Sequence, residues 1–436
     1  MSSILTNTGA MVALQTMRGI NKGMAQTQSE ISTGKSINSA RDNAAVWAIS
    51  KSMQADVKGF SAISDSLALG RSTVAVATQA AETVTDLLTQ MKGRIVAAQE
   101  ENVDRGKIQT DIVALREQIS TITSAAQFNG LNLLTNRENT AGSGTVNILS
   151  SLDRSSDGTV ASANIGVIKQ DLGTQATDWS VGTADAAGSG ANISGALDAA
   201  AVVPLAGAAT PNTTALVIDS AVAGMGVQIN ITGSAGTVGA AFNDMTRDVS
   251  YVARDGDTQT DVANGLANAF NQRVAAAVEA GTLGANTSIA AAVTVAANGV
   301  ATVTFTGETG VAGDTFNLQA IQTNDVEVGG RLEALAEIDV SNAAGARSAL
   351  TEIEGLIQTA IDSAAAFGSA QTRIDTQAEF IKNLSDALTT GIGSLVDADM
   401  EAASARLQAL QVQQQLATQS LSIANQQPQN ILALFR

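Results

Sequence analysis

The 436-residue chain contains no cysteine and no histidine. The first absence excludes disulfides, thiolate metal sites and cysteine nucleophiles. It suits a reducing compartment, or an exported protein that holds itself together by packing alone. The second removes the commonest general base and metal ligand, and with it Ser-His-Asp triads and HExxH zinc sites. No catalytic, metal or cofactor site is therefore expected. Aromatics make up only 3% of the chain, with a single tyrosine, Tyr251. The 44% hydrophobic fraction is mostly Ala, Val, Leu and Ile, which suits helix seams better than a bulky core. Prolines stand only at Pro204, Pro211 and Pro428, so residues 1–203 and 212–427 lack the residue that breaks helix interiors.

Positive charge is scarce as well. The net charge is −17, and no lysine occurs between Gln170 and Ile381. From Gly173 to Gly330 fourteen acids face three arginines (Arg247, Arg254, Arg273), a balance of −11. Such a middle argues against nucleic-acid partners and favours a solvated, mutually repelling surface. Residues 1–17 carry no charged side chain, so the basic start of a secretory signal is missing. No run approaches the roughly 20 apolar residues of a membrane span, and no membrane insertion is expected.

What the chain does have is heptads. Phe60, Leu67, Val74, Ala81, Leu88 and Ile95 recur every seven residues, with Ile63, Gly70, Ala77, Val84, Met91 and Ala98 three behind. The same spacing returns at Ile353, Ala360, Phe367, Ile374, Ile381, Leu388 and Leu395. Two such rows sustained over many heptads mark a coiled-coil seam. A building block is the expectation, not a catalyst.

Ahead of the first rod helix, Ile4, Met11, Leu14, Met17, Met24 and Ile31 form an apolar stripe that Gly34-Lys35-Ser36 interrupts. Ser39 and Asp42 match a capping box that would open the next helix. That helix, running to about Gln99, would span about 84 Å at 1.5 Å per residue. A shorter helix follows, with Ile108, Ile112, Leu115, Ile119 and Ile122, ending near Phe128-Asn129-Gly130. Val146, Ile148 and Leu149, then Ile165, Val167 and Ile168, flank the turn-rich 153–158 and predict a β-hairpin.

The middle is Gly-, Ala- and Thr-rich. It offers strands at 215–218, 227–231, 293–295 and 300–305, and one amphipathic helix over 258–279. Asp255, Asp257 and Asp261 faintly suggest a calcium loop, but they stand where that helix needs its cap and acidic first turn. Helical periodicity resumes near Arg331. From Leu407 to Phe435, 29 consecutive residues carry no formal charge. There Met400, Ala403, Leu407, Leu410, Gln414, Ala417, Leu421 and Ala424 lie on a heptad grid. A helix uncharged on all sides suits one surrounded by neighbours, where a charge would be costly to bury.

Several motifs carry a resemblance. Ser32-Thr33-Gly34-Lys35, Ile37-Asn38-Ser39-Ala40, Asp42, and Phe128-Asn129-Gly130 with Leu133-Leu134 stand in the amino-terminal part. Ala370–Ile374 with Arg373, Asp397-Ala398-Asp399, Ala424-Asn425-Gln426 and 429–434 stand in the carboxyl-terminal part. Together these resemble the two conserved ends of bacterial flagellins, over about residues 1–172 and 331–436.

The resemblance implies a mainly α fold with a β-rich insert: a long antiparallel coiled-coil rod formed by both termini, plus an outer variable α+β domain. Residues 1–40 and 397–436 would form an inner helical layer, 41–172 and 331–396 the rod, and 173–330 the outer domain. Self-assembly into a secreted flagellar filament would use Ile4, Met11, Leu14, Met24, Ile31, Met400, Leu407, Leu410, Leu421, Ile431 and Leu434. The implied partners are further copies of the chain, the flagellar type III export apparatus, a chaperone for the carboxyl terminus, and the hook-junction and cap proteins. Residues 89–96 lack the Arg-Glu-Leu core of receptor-stimulating flagellins. Alternatives are a hook–filament junction protein of the same superfamily, or a secreted coiled-coil adhesin.

Overall fold

The computed structural model describes residues 7–154, 159–185, 192–197, 203–206, 212–235, 249–279, 281–284, 287–308 and 315–434. The chain divides into two compact units. One comprises Met1–Asp65, Ser151–Ala161 and Ala378–Arg436, and the other Ser66–Ser150 and Ser162–Gln377.

The first unit holds α1 (Thr8–Thr33) and α6 (Met400–Leu434), with the start of α2 (Ala44–Ala98) and the end of α5 (Ala343–Val396). Asn7 caps α1, its side-chain oxygen accepting from the Ala10 amide at 3.0 Å. The helix ends at Gly34, whose φ of 69° is the left-handed conformation a glycine reaches without strain. Two side-chain bonds set an antiparallel register between α1 and α6. Asn7 Nδ2 donates to the Ala424 carbonyl at 2.8 Å, and Gln414 Nε2 donates to Asn21 Oδ1 at 2.9 Å.

The turns that follow α1 and precede α6 are stitched together. The Ser36 amide donates to the Val396 carbonyl at 2.7 Å, and the Ala398 amide to that of Gly34 at 3.0 Å. The cap of α2 differs from the sequence expectation. Asn43 opens the helix, its side chain accepting from the Val46 amide at 3.3 Å. Ser39 and Asp42 instead close the preceding turn: one Asp42 oxygen accepts from the Asn38 and Ser39 amides and the Ser39 hydroxyl. These bonds favour the carboxylate and hold its pKa below the ordinary value, the Ser39 amide contributing most.

All twelve predicted heptad positions on α2 are buried. On α5 the row is buried at Ile353, Ala360, Phe367, Ile374 and Ile381, but Leu388 is only half-buried and Leu395 is exposed. Ile392 and Val396 are buried in their place. A straight helix of 3.6 residues per turn drifts about 20° per heptad, so a strict seven-residue row leaves the seam after several repeats. Arg71 reaches Asp375 at 3.1 Å, and Lys92 pairs with Glu354. As one number rises the other falls, so α2 and α5 run antiparallel there.

In the second unit α3 (Arg105–Ala125) folds back on α2, with Arg94 and Asp111 3.6 Å apart. The Phe128-Asn129-Gly130 landmark is not the end of this helix. It is the turn of a small hairpin, β1 (Gln127–Phe128) and β2 (Leu131–Asn132), with φ of 51° at Asn129 and 81° at Gly130. Two successive positive φ values are what an Asn-Gly type I′ turn supplies. The predicted hairpin is present as β3 (Thr145–Arg154) and β4 (Val160–Ile168). Gly70 makes room for it: a Cβ there would fall 2.5 Å from Ile148.

The insert contains the four predicted strands as β8 (Thr213–Ile218), β9 (Gly226–Ala235), β11 (Ala290–Val295) and β12 (Ala301–Thr306). The expected helix is α4 (Gln259–Glu279). Thr258 and Asp261 form its reciprocal capping box, the Thr258 amide donating to Asp261 at 2.8 Å and the Asp261 amide returning to the Thr258 hydroxyl at 3.3 Å. Asp257 instead accepts from Tyr251 and the Arg254 amide, so the acids here are structural.

Within the insert five described strands escaped the sequence reading: β5 (Thr183–Ala184), β6 (Ile193–Gly195), β7 (Val203–Ala206), β10 (Ser250–Val252) and β13 (Thr315–Asn324). They complete two antiparallel sheets, one ordered β10-β9-β13-β5 with β7 also on β13, the other β11-β12-β8-β6. Phe270 of α4 meets Phe305 of β12 edge-to-face at 4.9 Å in a core whose described members lie within residues 193–320. Helix does not resume at Arg331. A 3₁₀ turn (Glu333–Ala336) comes first, and α5 begins at Ala343. Leu332, Leu335, Ile338 and Val340 are buried along this irregular segment, which gives it apolar spacing without a helix.

Candidate assembly surface

The pairing of α1 and α6 buries little. Among the described residues of the two helices, only Ile20 and Thr27 of α1 and Ala403 of α6 are buried. The seam otherwise consists of half-buried positions. On α1 these include Met24 and Ile31, and on α6 they are Leu407, Leu410, Gln414, Ala417, Leu421 and Ala424. The predicted heptad grid of α6 is therefore the face turned to α1.

Other predicted residues lie off the seam. Met11 is 66% exposed, and Leu14 and Met400 are exposed too. Ile4 falls outside the described residues; Ile431 and Leu434 lie on α6, but their side chains fall outside the described ones. Heptad reading missed Val12, Val412, Leu416 and Ile423, all more than half exposed. The available signal was their position: apolar residues off the grid of a helix that has no charged face. The pair thus carries a second set of apolar side chains that the described residues leave uncovered. On α6 Val412, Leu416 and Ile423 lie four and seven apart and so share one side of the helix, the kind of apolar stripe that marks an interaction face.

The motif residues cluster at the stitched turns. Ser32 and Thr33 end α1, Gly34 supplies the left-handed exit, and residues 37–42, Ile37, Asn38, Ser39, Ala40 and Asp42 among them, form the connection to α2. Opposite them Lys35 and Asp397 form an isolated antiparallel bridge. Asp399 caps α6, accepting from the Glu401 and Ala402 amides at 3.0 and 3.1 Å. Arg373 and Asn425 are exposed on α5 and α6.

Two family models match, the bacterial flagellin N-terminal helical region over residues 4–139 and the C-terminal helical region over 350–435. Among curated proteins, "Flagellin A" of Rhizobium meliloti strain 1021 is 36% identical over 449 aligned residues, and "Flagellin A" of Rhizobium meliloti 34% over 439; each alignment covers all of both chains. The chain belongs to the bacterial flagellin family. As a flagellin it is a structural subunit of the flagellar filament, and its place is outside the cell, in the flagellum. No described helix of this flagellin is long and apolar enough to cross a membrane. Solved structures of a FlgL from Xanthomonas campestris (14% identity, covering 78% of this chain and 98% of that one, TM-score 0.32) and a FliC from Burkholderia pseudomallei (15%, 70% and 99%, 0.29) align too loosely to add to this.

Proposed function

We propose that residues 1–40 and 397–436 form an inner helical layer of the filament. Residues 41–172 and 331–396 would form the rod around it, and 173–330 an outward domain. The observation that supports this reading is the second apolar face of α1 and α6, with Met11 and Ile423 both about two-thirds exposed in the single chain. Such a face, on helices nearly free of charge, is stabilised when neighbouring copies cover it. The role is structural and not catalytic.

The same face suits a carboxyl-terminal chaperone before export through the flagellar type III apparatus, and contacts with hook-junction and cap proteins at the filament ends. Hydrogen exchange on monomers and on filaments tests the layer assignment. Amides of α1 and α6 should exchange freely in the monomer, since isolated pairs of this kind are marginal in water, and should be strongly protected in the filament. Equal protection in both states would remove the basis for an inner layer.

A further inference from the structure

The insert and the helices it grows from meet at a neck built around one side chain. Its two chain passages touch at Gly173 and Gly330: the Leu332 amide donates to the Gly173 carbonyl at 3.0 Å and the Gly330 amide to that of Gln175 at 2.8 Å. They lie so close that a Cβ on Gly330 would fall 1.9 Å from the Gly173 oxygen.

Arg254, on the insert just after β10, bridges both passages. Its Nε donates to Asp171 Oδ2 at 3.1 Å on the incoming passage, and its Nη2 to the Gly329 carbonyl at 2.7 Å on the outgoing one. The other Asp171 oxygen accepts from the Gly173 amide at 3.0 Å. Arg254 and Asp171 are 6% and 1% exposed. Asp257 binds Arg254 back through its amide, and its second oxygen takes Arg331 at 3.1 Å.

Around this centre lies a network of polar contacts. The Asp255 carboxylate accepts from the Gly142 and Gly144 amides, Asn136 donates to the Asp255 carbonyl, and Arg137 and Asn139 donate to Val328 and Val326. Apolar side chains pack there as well: Trp179 lies on Val252, Val326 and Val328, and Leu172 and Leu332, next to the touching glycine passages, are fully buried. Among the described residues, the insert's main core draws on none from outside 193–320.

We propose that Arg254 is a latch: it fastens an independently cored insert to the rest of the chain, and without it the insert undocks as a folded body. The physical basis is the asymmetry of buried pairs. Removing one partner leaves the other charge buried and unpaired, so the neck opens to hydrate it. The insert's own core meets the neck centre at Tyr251, which packs on that core, lies under the Arg254 guanidinium and donates to Asp257. Most of the core's buried apolar residues lie away from the neck and have no reason to melt with it.

The test compares Arg254→Met and the milder Asp171→Asn with the parent chain, full length, by hydrogen exchange. Trp179 fluorescence in a Trp47→Phe background provides a second reading at the neck. Exchange should rise at least tenfold over 169–177, 252–257 and 326–333, with a red shift of Trp179 emission, while β8, β9, β12 and α4 keep their protection. Unchanged exchange at the neck in both variants would overturn the latch. Loss of protection throughout the insert in both, or failure of both to fold, would overturn it too, because the pair would then belong to the folding core.

Discussion

Replacing Leu421 by aspartate separates folding of the subunit from its polymerisation. Leu421 is half-buried on the α1–α6 seam, between the Asn7–Ala424 and Asn21–Gln414 bonds. In a lone subunit the new carboxylate can turn to water at this half-open position. The cost is then about 1 kcal/mol, half of what burying a leucine contributes. In an enclosed inner layer the carboxylate has no such exit. No cation follows Arg406 on α6 before Arg436, and α1 carries none before Arg18.

A buried charge without a partner costs about 3–5 kcal/mol. The difference, about 3 kcal/mol per added subunit, raises the critical concentration roughly a hundredfold, since 1.4 kcal/mol is a factor of ten. Seeded polymerisation followed by sedimentation measures that concentration, and far-UV circular dichroism checks that α2 and α5 remain helical. Leu407→Asp should behave alike, and Leu421→Ala, which loses only apolar contact, should shift the value less than tenfold. Filaments of Leu421→Asp with a critical concentration within threefold of the parent's would refute the enclosed-layer argument.

Further outcomes follow from the same geometry. Deleting 173–330 and joining Leu172 to Arg331 through a short Gly/Ser linker should give thinner filaments with unchanged subunit spacing in electron micrographs, because the excised ends already touch; folded monomers that never polymerise would place the insert in the assembly interface. Burial, with Glu337 nearby, pushes Glu352 up to about 7. A raised carboxylate pKa means the folded state binds the proton more tightly, so stability at this site grows as pH falls from about 7 towards the ordinary carboxylate range. Glu352→Gln should therefore stabilise the chain at pH 8 by about 1–2 kcal/mol in denaturant titration and change little near pH 4.5. Asp399→Ala removes the α6 cap and should cost about 1 kcal/mol, read as a raised critical concentration.

The rod was legible because its signal is local and repeated. Phe60 to Ala98 announce their common face every seven residues, and no tertiary detail is needed to see it. The capping of α2 was misread for a related reason: Ser39-x-x-Asp42 satisfies the pattern, but Asn43 stands one residue closer to the first helical turn and takes the role. The insert was harder. Its strand β13 pairs with β9, β7 and β5, yet in its sequence Thr-Phe-Asn-Leu-Gln-Ala-Ile-Gln-Thr-Asn the apolar/polar alternation breaks at Ala320-Ile321 and amides outnumber β-branched residues. Gln322, nearly fully buried, donates to Asn324 and accepts from the Asn192 amide. A buried amide whose partner lies 130 positions away looks, in sequence, like a loop residue. Arg254 and Asp171, 83 positions apart, were silent for the same reason.

The assembly surface lies between these cases. Sequence marked α6 as unusual by its missing charge, and the heptad grid located one face. That grid, however, is the face the helix turns to its own chain, and the exposed residues off it, Val412, Leu416 and Ile423, form a second row spaced four and seven apart. Periodicity identifies the contact repeated along one partner helix. The spacing of a second row marks a stripe and says nothing of what covers it. What identifies it is a physical mismatch, aliphatic side chains left in water on helices that lack the charges a solvated surface would carry.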